Sequence, residues 1–99
     1  MMYARWSRAK IRPERREEVR TYIRELESQT ARIPDIQYWI TTFSDTDEVS
    51  VLAVYRSEAA LKANAPANAE RWEYARNFFD GDPEVHEGEV IGLVPLKAR

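Results

Sequence analysis

Ile36-Gln37-Tyr38-Trp39-Ile40-Thr41-Thr42-Phe43-Ser44 and Val49-Ser50-Val51-Leu52-Ala53-Val54-Tyr55-Arg56, joined through the polar turn Ser44 to Glu48, decide the fold of this chain. Both stretches are rich in β-branched and aromatic residues and alternate with period two, so each predicts a strand. The short turn predicts an antiparallel hairpin. Ile36, Tyr38, Ile40 and Thr42 alternate with Gln37, Trp39, Thr41 and Phe43, while Val49, Val51, Ala53 and Tyr55 alternate with Ser50, Leu52, Val54 and Arg56. An antiparallel sheet covered on one side reads apolar inward and polar outward. This hairpin is apolar on both faces, which predicts a second covering layer.

On the N-terminal side, Glu14 to Arg32 carries Val19, Tyr22, Ile23, Leu26 and Thr30 at spacings of three and four, continued by Ile33. That is one apolar stripe on a charged helix. Pro13 suits its first turn and Pro34-Asp35 ends it. Residues 2–11, ahead of Arg12-Pro13, read as a first strand. On the C-terminal side, Ser57 is an N-cap for a helix beginning at Glu58. Pro66 divides this region into a short helix at 58–64 and a longer one at about 67–79, closed by Gly81 as a C-cap. Val85 to Leu93 reads as the last strand, with Gly88 and Gly92 permitting bends or close backbone approach.

Strand, helix, strand, strand, helix, strand is the ferredoxin-like βαββαβ order, an α+β domain occupying residues 1–99. It places four antiparallel strands in one sheet with the helices on one face and leaves the other face bare. The apolar character of that bare face predicts a sheet-to-sheet homodimer. The 99 residues are 43% hydrophobic and 32% charged with a formal net charge of -2, as in ordinary globular proteins, and contain no cysteine. Thiolate chemistry and Cys-ligated metal are therefore excluded within the chain. No apolar run suits a signal peptide or membrane helix, so a cytoplasmic protein without a membrane partner is expected. Arg5, Arg8, Lys10, Arg12, Arg15 and Arg16 crowd one end, but Glu14, Glu17 and Glu18 interleave with them as solvated helix pairs. Nucleic acid is not an expected partner, because Val49 to Tyr55 lacks the glycine and paired aromatics of an RNA-recognition strand.

Ile33-Pro34-Asp35-Ile36 and the run Val51-Leu52-Ala53-Val54-Tyr55-Arg56-Ser57-Glu58-Ala59-Ala60-Leu61-Lys62-Ala63 resemble segments of the dimeric α+β-barrel superfamily, within it the antibiotic-biosynthesis-monooxygenase-like domains. In that group Gly more often follows the Pro, and a histidine commonly stands at the position of Asn64. The resemblance covers nearly the whole chain. It implies a homodimeric barrel of two sheets, with a cleft between sheet and helices in each subunit for an aromatic small molecule. The activities it implies range from cofactor-independent oxidation of phenolic polyketides to haem degradation and isomerisation.

Asn68 and Trp72 stand four residues apart on one helix face, as does a similar pair facing the pocket of the quinone-forming members. The resemblance makes them candidate catalytic residues. Phe78 stands where such an enzyme carries tyrosine, which removes a phenolic group. His86, the sole histidine, is a candidate general base because its side chain titrates near neutrality. Arg5, Trp6, Tyr55 and Phe78 are the candidate substrate-binding residues around the cleft. No cofactor or metal is expected. The resemblance to the haem-degrading members implies an asparagine and a histidine at places that fall near Ser7 and Asp82 here, and alternation divides Glu84, Glu87 and Glu89 between two faces.

Overall fold

The computed structural model describes residues 1–94. It contains β1 (Tyr3–Lys10), a 3₁₀ turn (Pro13–Arg15) leading into α1 (Arg16–Thr30), β2 (Ile36–Phe43) and β3 (Glu48–Tyr55). There follow α2 (Glu58–Ala63), α3 (Ala65–Ala75) with a 3₁₀ extension (Arg76–Phe78), and β4 (Glu84–Glu89). The strands form one antiparallel sheet in the order β2-β3-β1-β4. This is the ferredoxin-like arrangement, with the helices packed on one face.

Register explains what each face carries. On the helix side, rows of side chains run across the strands: Tyr3, Tyr55 and Ile36; then Arg5, Ala53 and Trp39; then Ser7, Val51 and Thr41; then Ala9, Val49 and Phe43. The two outer rows are built into two separate core clusters. One gathers Ala9, Ile11, Val19 and Val49, with Ile23, Phe43, Trp72, Phe78 and Phe79 against it. The other gathers Ile33, Ala53, Tyr55 and Leu61, with Tyr3, Ile36, Trp39 and Ala60. Arg16 fastens α1 to the hairpin turn, donating to Ser44 O at 3.0 Å and to Asp47 Oδ1 at 2.8 Å while its guanidinium lies over the Phe43 ring. Arg15 pairs with Glu18 along the helix surface as the charge pattern predicts, whereas Arg16 makes this tertiary contact instead.

Several boundaries differ from the sequence expectation for identifiable reasons. The helices divide as expected into a short one and a longer one, but the break falls at Asn64 and Pro66 sits in the first turn of α3, where its missing N–H has no intrahelical role. Gly81 does adopt a positive φ of 94°, but in the turn toward β4 rather than as a helix cap. The 3₁₀ extension ends earlier because Phe79 is extended, with Arg12 N donating to Phe78 O and Asp80 N to Lys10 O. β4 is shorter than expected and ends at Glu89, so Gly92 lies beyond it. A β-bulge with Gln37 as the extra residue puts Ile36 on the helix side, apart from Tyr38 and Ile40. Asp35, where the resembling group favours glycine, has a φ of 60°, a left-handed conformation that glycine adopts most readily.

The opposite face carries no helix, and on it Ala4 and Val54 are buried while the larger side chains around them stand open. Its central row runs Ile40, Leu52, Trp6, His86, beside a second row of Tyr38, Val54, Ala4 and Gly88. Trp6, Tyr38, Ile40 and Leu52 are 44%, 47%, 52% and 38% exposed, so the two-faced apolar pattern of the hairpin is realised as an uncovered surface.

The Ser57 side chain accepts from Ala60 N at 3.1 Å, the only side-chain cap among the helices described. Ser57→Ala should lower the unfolding free energy by about 1 kcal/mol in a urea titration, with an unchanged slope.

Candidate functional site

Between the two core clusters, under α1 and α3, lies a cavity of about 370 Å³, in the size range of small-molecule sites. It exists because the two middle rows of the helix-side face carry Ser7, Thr41 and Ala53, too small to fill the space that the flanking rows hold open. Trp39 and Trp72 supply aromatic walls, Leu26 and Thr30 come from α1, and Arg5, Tyr55, Asn68 and Arg71 bring polar groups. Glu27 is the one carboxylate among the described lining residues, and its side chain is exposed.

Asn68 is 8% exposed. With its amide turned so that oxygen faces the neighbouring guanidinium, Oδ1 accepts from Arg5 Nη2 at 3.0 Å and also from Arg5 Nη1. That pairing orients Asn68, because an amide whose oxygen is engaged offers its N–H groups to whatever lies beyond. Trp72 follows one turn later on the same face and packs on Phe79 with ring centroids 5.0 Å apart. Trp39 Nε1 donates to Thr41 Oγ1 at 3.1 Å, and Asn64 Nδ2 donates to Tyr55 Oη at 2.7 Å. Both hydroxyls are thereby used as acceptors and retain their own protons for donation.

Arg5 Nε and Arg71 Nη1 are buried without a protein acceptor. Register puts Glu87 opposite Arg5, yet among the described residues neither Arg5 nor Arg71 has a carboxylate within ion-pair distance. Burial raises the Tyr55 phenol above its ordinary value, while the hydrogen bond from Asn64 and the charges of Arg71 and Arg5 pull it down less strongly.

Of the residues expected around the cleft, Arg5, Tyr55, Asn68 and Trp72 meet in this cavity. Trp6 and His86 do not. They lie on the bare face, because β1 sends Arg5 and Trp6 to opposite sides and His86 is registered beside Trp6. There the two rings stack with centroids 5.5 Å apart, and His86 Nε2 lies 3.0 Å from Glu84 Oε1. Phe78 also stands outside the cavity, against Tyr22 at a centroid distance of 5.6 Å and under the Arg15 guanidinium. Arg71, Ser7, Thr41 and Trp39 were not among the expected site residues. Arg71 was legible in principle, since it stands three residues after Asn68 and so shares its helix face.

No protein-family model matches the chain, and no curated protein matches it. Solved structures do. A protein of unknown function from Nitrosomonas europaea superposes with a TM-score of 0.84 at 12% identity, over 98% of this chain and 96% of its own. Two others carry the name "putative antibiotic biosynthesis monooxygenase". The one from Caulobacter crescentus has a TM-score of 0.78 at 19% identity, covering 92% of this chain and 91% of its own. The one from Chloroflexus aurantiacus has a TM-score of 0.73 at 20% identity, covering 96% and 98%. The chain has the fold of the antibiotic-biosynthesis-monooxygenase-like group. At these identities the likeness is one of fold, and the chemistry has to be argued from the cavity.

Folding holds Tyr55 neutral. Its share of stability is intact below the unfolded tyrosine value of about 10 and is lost as pH rises from there through the raised folded value. Tyr3 and Tyr22 are raised as well, Tyr3 chiefly by its hydrogen bond to Glu58 and Tyr22 chiefly by burial. A spectrophotometric titration of wild type against Tyr55→Phe isolates Tyr55. The missing absorbance should fall above pH 10, and wild type should lose stability relative to the variant over the same interval.

Proposed function

We propose that the protein binds a planar aromatic small molecule in the cavity between sheet and helices and oxidises it with molecular oxygen, without an organic cofactor. The observation that carries this reading is the pairing of half-buried Arg5 with buried Asn68 beside Trp72, which presents oriented donors to an aromatic-walled space. A phenolic anthrone that loses a methylene proton to solvent water becomes a delocalised oxyanion, the species such donors stabilise. The carbanion form adds oxygen to give a peroxide; after protonation, loss of water leaves a carbonyl at the former methylene. One oxygen atom of O₂ stays in the quinone and the other leaves in water, so the substrate supplies all four electrons that reduce O₂. Fixed donors lower the barrier because they need no reorganisation as the charge forms.

A second reading has its own observation. Among the described residues no histidine lines the cavity, so no group that ordinarily titrates near neutrality stands ready to take the proton. A cavity without such a base suits a binding protein that carries its ligand unchanged. Incubation with phenolic anthrones, following quinone absorbance and oxygen uptake, separates the two. Monooxygenation consumes one O₂ per quinone, and Asn68→Ala should cut kcat by about a hundredfold. Absence of turnover with retained aromatic binding assigns the protein to the second class.

The same reading includes a homodimer closed by the bare faces of two sheets. The row Ile40, Leu52, Trp6, His86 is the patch that a second copy would cover, and its residues lie apart from the cavity. Light scattering on a sizing column should give the mass of two chains. Leu52→Glu should shift the particle to one chain while leaving the far-ultraviolet dichroism unchanged; a wild-type monomer at micromolar concentration removes the dimer.

A further inference from the structure

We infer that the ligand of this cavity carries a carboxylate, held by Arg5 and Arg71. The inference rests on the aromatic-cavity reading and narrows it to a class, the aromatic acids. A guanidinium taken out of water is costly unless an acceptor meets it, and structural arginines ordinarily find a carboxylate. Two arginines line this one space, each with a buried N–H lacking a protein acceptor, and neither has a carboxylate within ion-pair distance among the described residues. Glu87, opposite Arg5 in the register, is exposed and does not pair with it; Glu27, the one lining carboxylate, is exposed as well.

The neutral groups lean the same way. Asn68 oxygen is spent on Arg5, Thr41 Oγ1 accepts from Trp39, and Tyr55 Oη accepts from Asn64. What these three side chains have left is mainly donors. Thr30 turns its hydroxyl away, donating to Glu27 O at 2.9 Å. A site of donors with two guanidinium groups that lack a carboxylate partner is complementary to an anion, and the planar fork of arginine suits the two oxygens of a carboxylate. Trp39 and Trp72 on the same walls suit a flat ring attached to it.

The test compares 2-naphthoate with 2-naphthamide, its neutral counterpart of nearly equal shape, by calorimetry and by quenching of tryptophan fluorescence. Wild type should bind the acid more tightly than the amide by at least roughly tenfold, the equivalent of about 1.4 kcal/mol. Arg71→Met should lose most of that preference with the amide affinity unchanged. Arg5→Met should do likewise, and Arg5→Gln, which keeps an N–H donor without the charge, serves if the Met variant does not fold. Arg12→Gln, an exposed arginine outside the cavity, should keep the full preference and so exclude general attraction to a basic surface. Equal affinities, or a preference that survives both Arg71→Met and an Arg5 variant, overturn the carboxylate assignment and leave the aromatic cavity standing. Failure of both probes to bind overturns the aromatic-cavity reading together with it.

Discussion

The strict two-residue alternation of β1 is the constraint on which the rest of this structure depends. It turns Arg5 and Ser7 under the helices and Trp6 and Arg8 onto the bare face, so one strand contributes to two unrelated surfaces. A slip of one residue would exchange them, burying Trp6 beneath α3 and exposing the arginine. Neighbouring strands hold the register from both sides. Tyr3 is paired with Tyr55 and with Glu89, and Arg8 is tied to Glu84 at 2.6 Å and to Glu48 at 3.7 Å across the bare face. Those exposed ion pairs contribute little energy, since surface pairs contribute at most about 1 kcal/mol. Burial of alternate apolar side chains on the helix face is what makes the correct register much the more stable.

Within that register, the cavity is a consequence of side-chain size. Large residues at the two ends of the helix-side face, in the rows of Tyr55 and Phe43, hold the helices off the sheet, and the small residues between them do not reach across. Filling the space with apolar side chains would join the two clusters into one core and add stability, because voids forfeit contacts. Apart from the exposed Glu27, the polar groups placed there instead are mainly donors. Hydroxyls and an amide whose acceptor atoms are already engaged surround two guanidinium groups, so the interior is electrostatically one-sided while the whole chain carries a formal net charge of -2. Net charge therefore says nothing about this site.

The order of elements and the two-faced hairpin were readable because they are written in local periodicity. Val19, Ile23, Leu26 and Thr30 repeat at helical spacing whatever surrounds them, and Ser57 caps its helix through its own neighbours. The cavity was readable only in part. Asn68 and Trp72 share a helix face by spacing alone, but Trp6 and His86 were grouped with them although strand alternation sends Trp6 away from Arg5. The reason is physical: which face of a strand meets the helices is a tertiary fact, and β1 carries apolar or aromatic residues on both. Arg71 was hidden for the opposite reason. An arginine in a helix of Glu70, Arg71, Glu73 and Arg76 looks like one more solvated charge, and only the packing of α3 distinguishes it from Arg76, which is paired with Glu73 at 2.9 Å.

The separation of the two faces also limits what each can do for the other. His86, the one side chain that ordinarily titrates near neutrality, is stacked on Trp6 in the row a second copy would cover. A change at that ring acts on the bare face, beside Glu84 and Arg8, and not on a ligand under the helices. In the cavity, by contrast, the fixed arginine charges keep the same sign over the whole range in which proteins fold, and Tyr55 is held neutral well into the alkaline range. A ligand anion would therefore meet an unchanging field, and pH would control occupancy through the ligand's own ionisation.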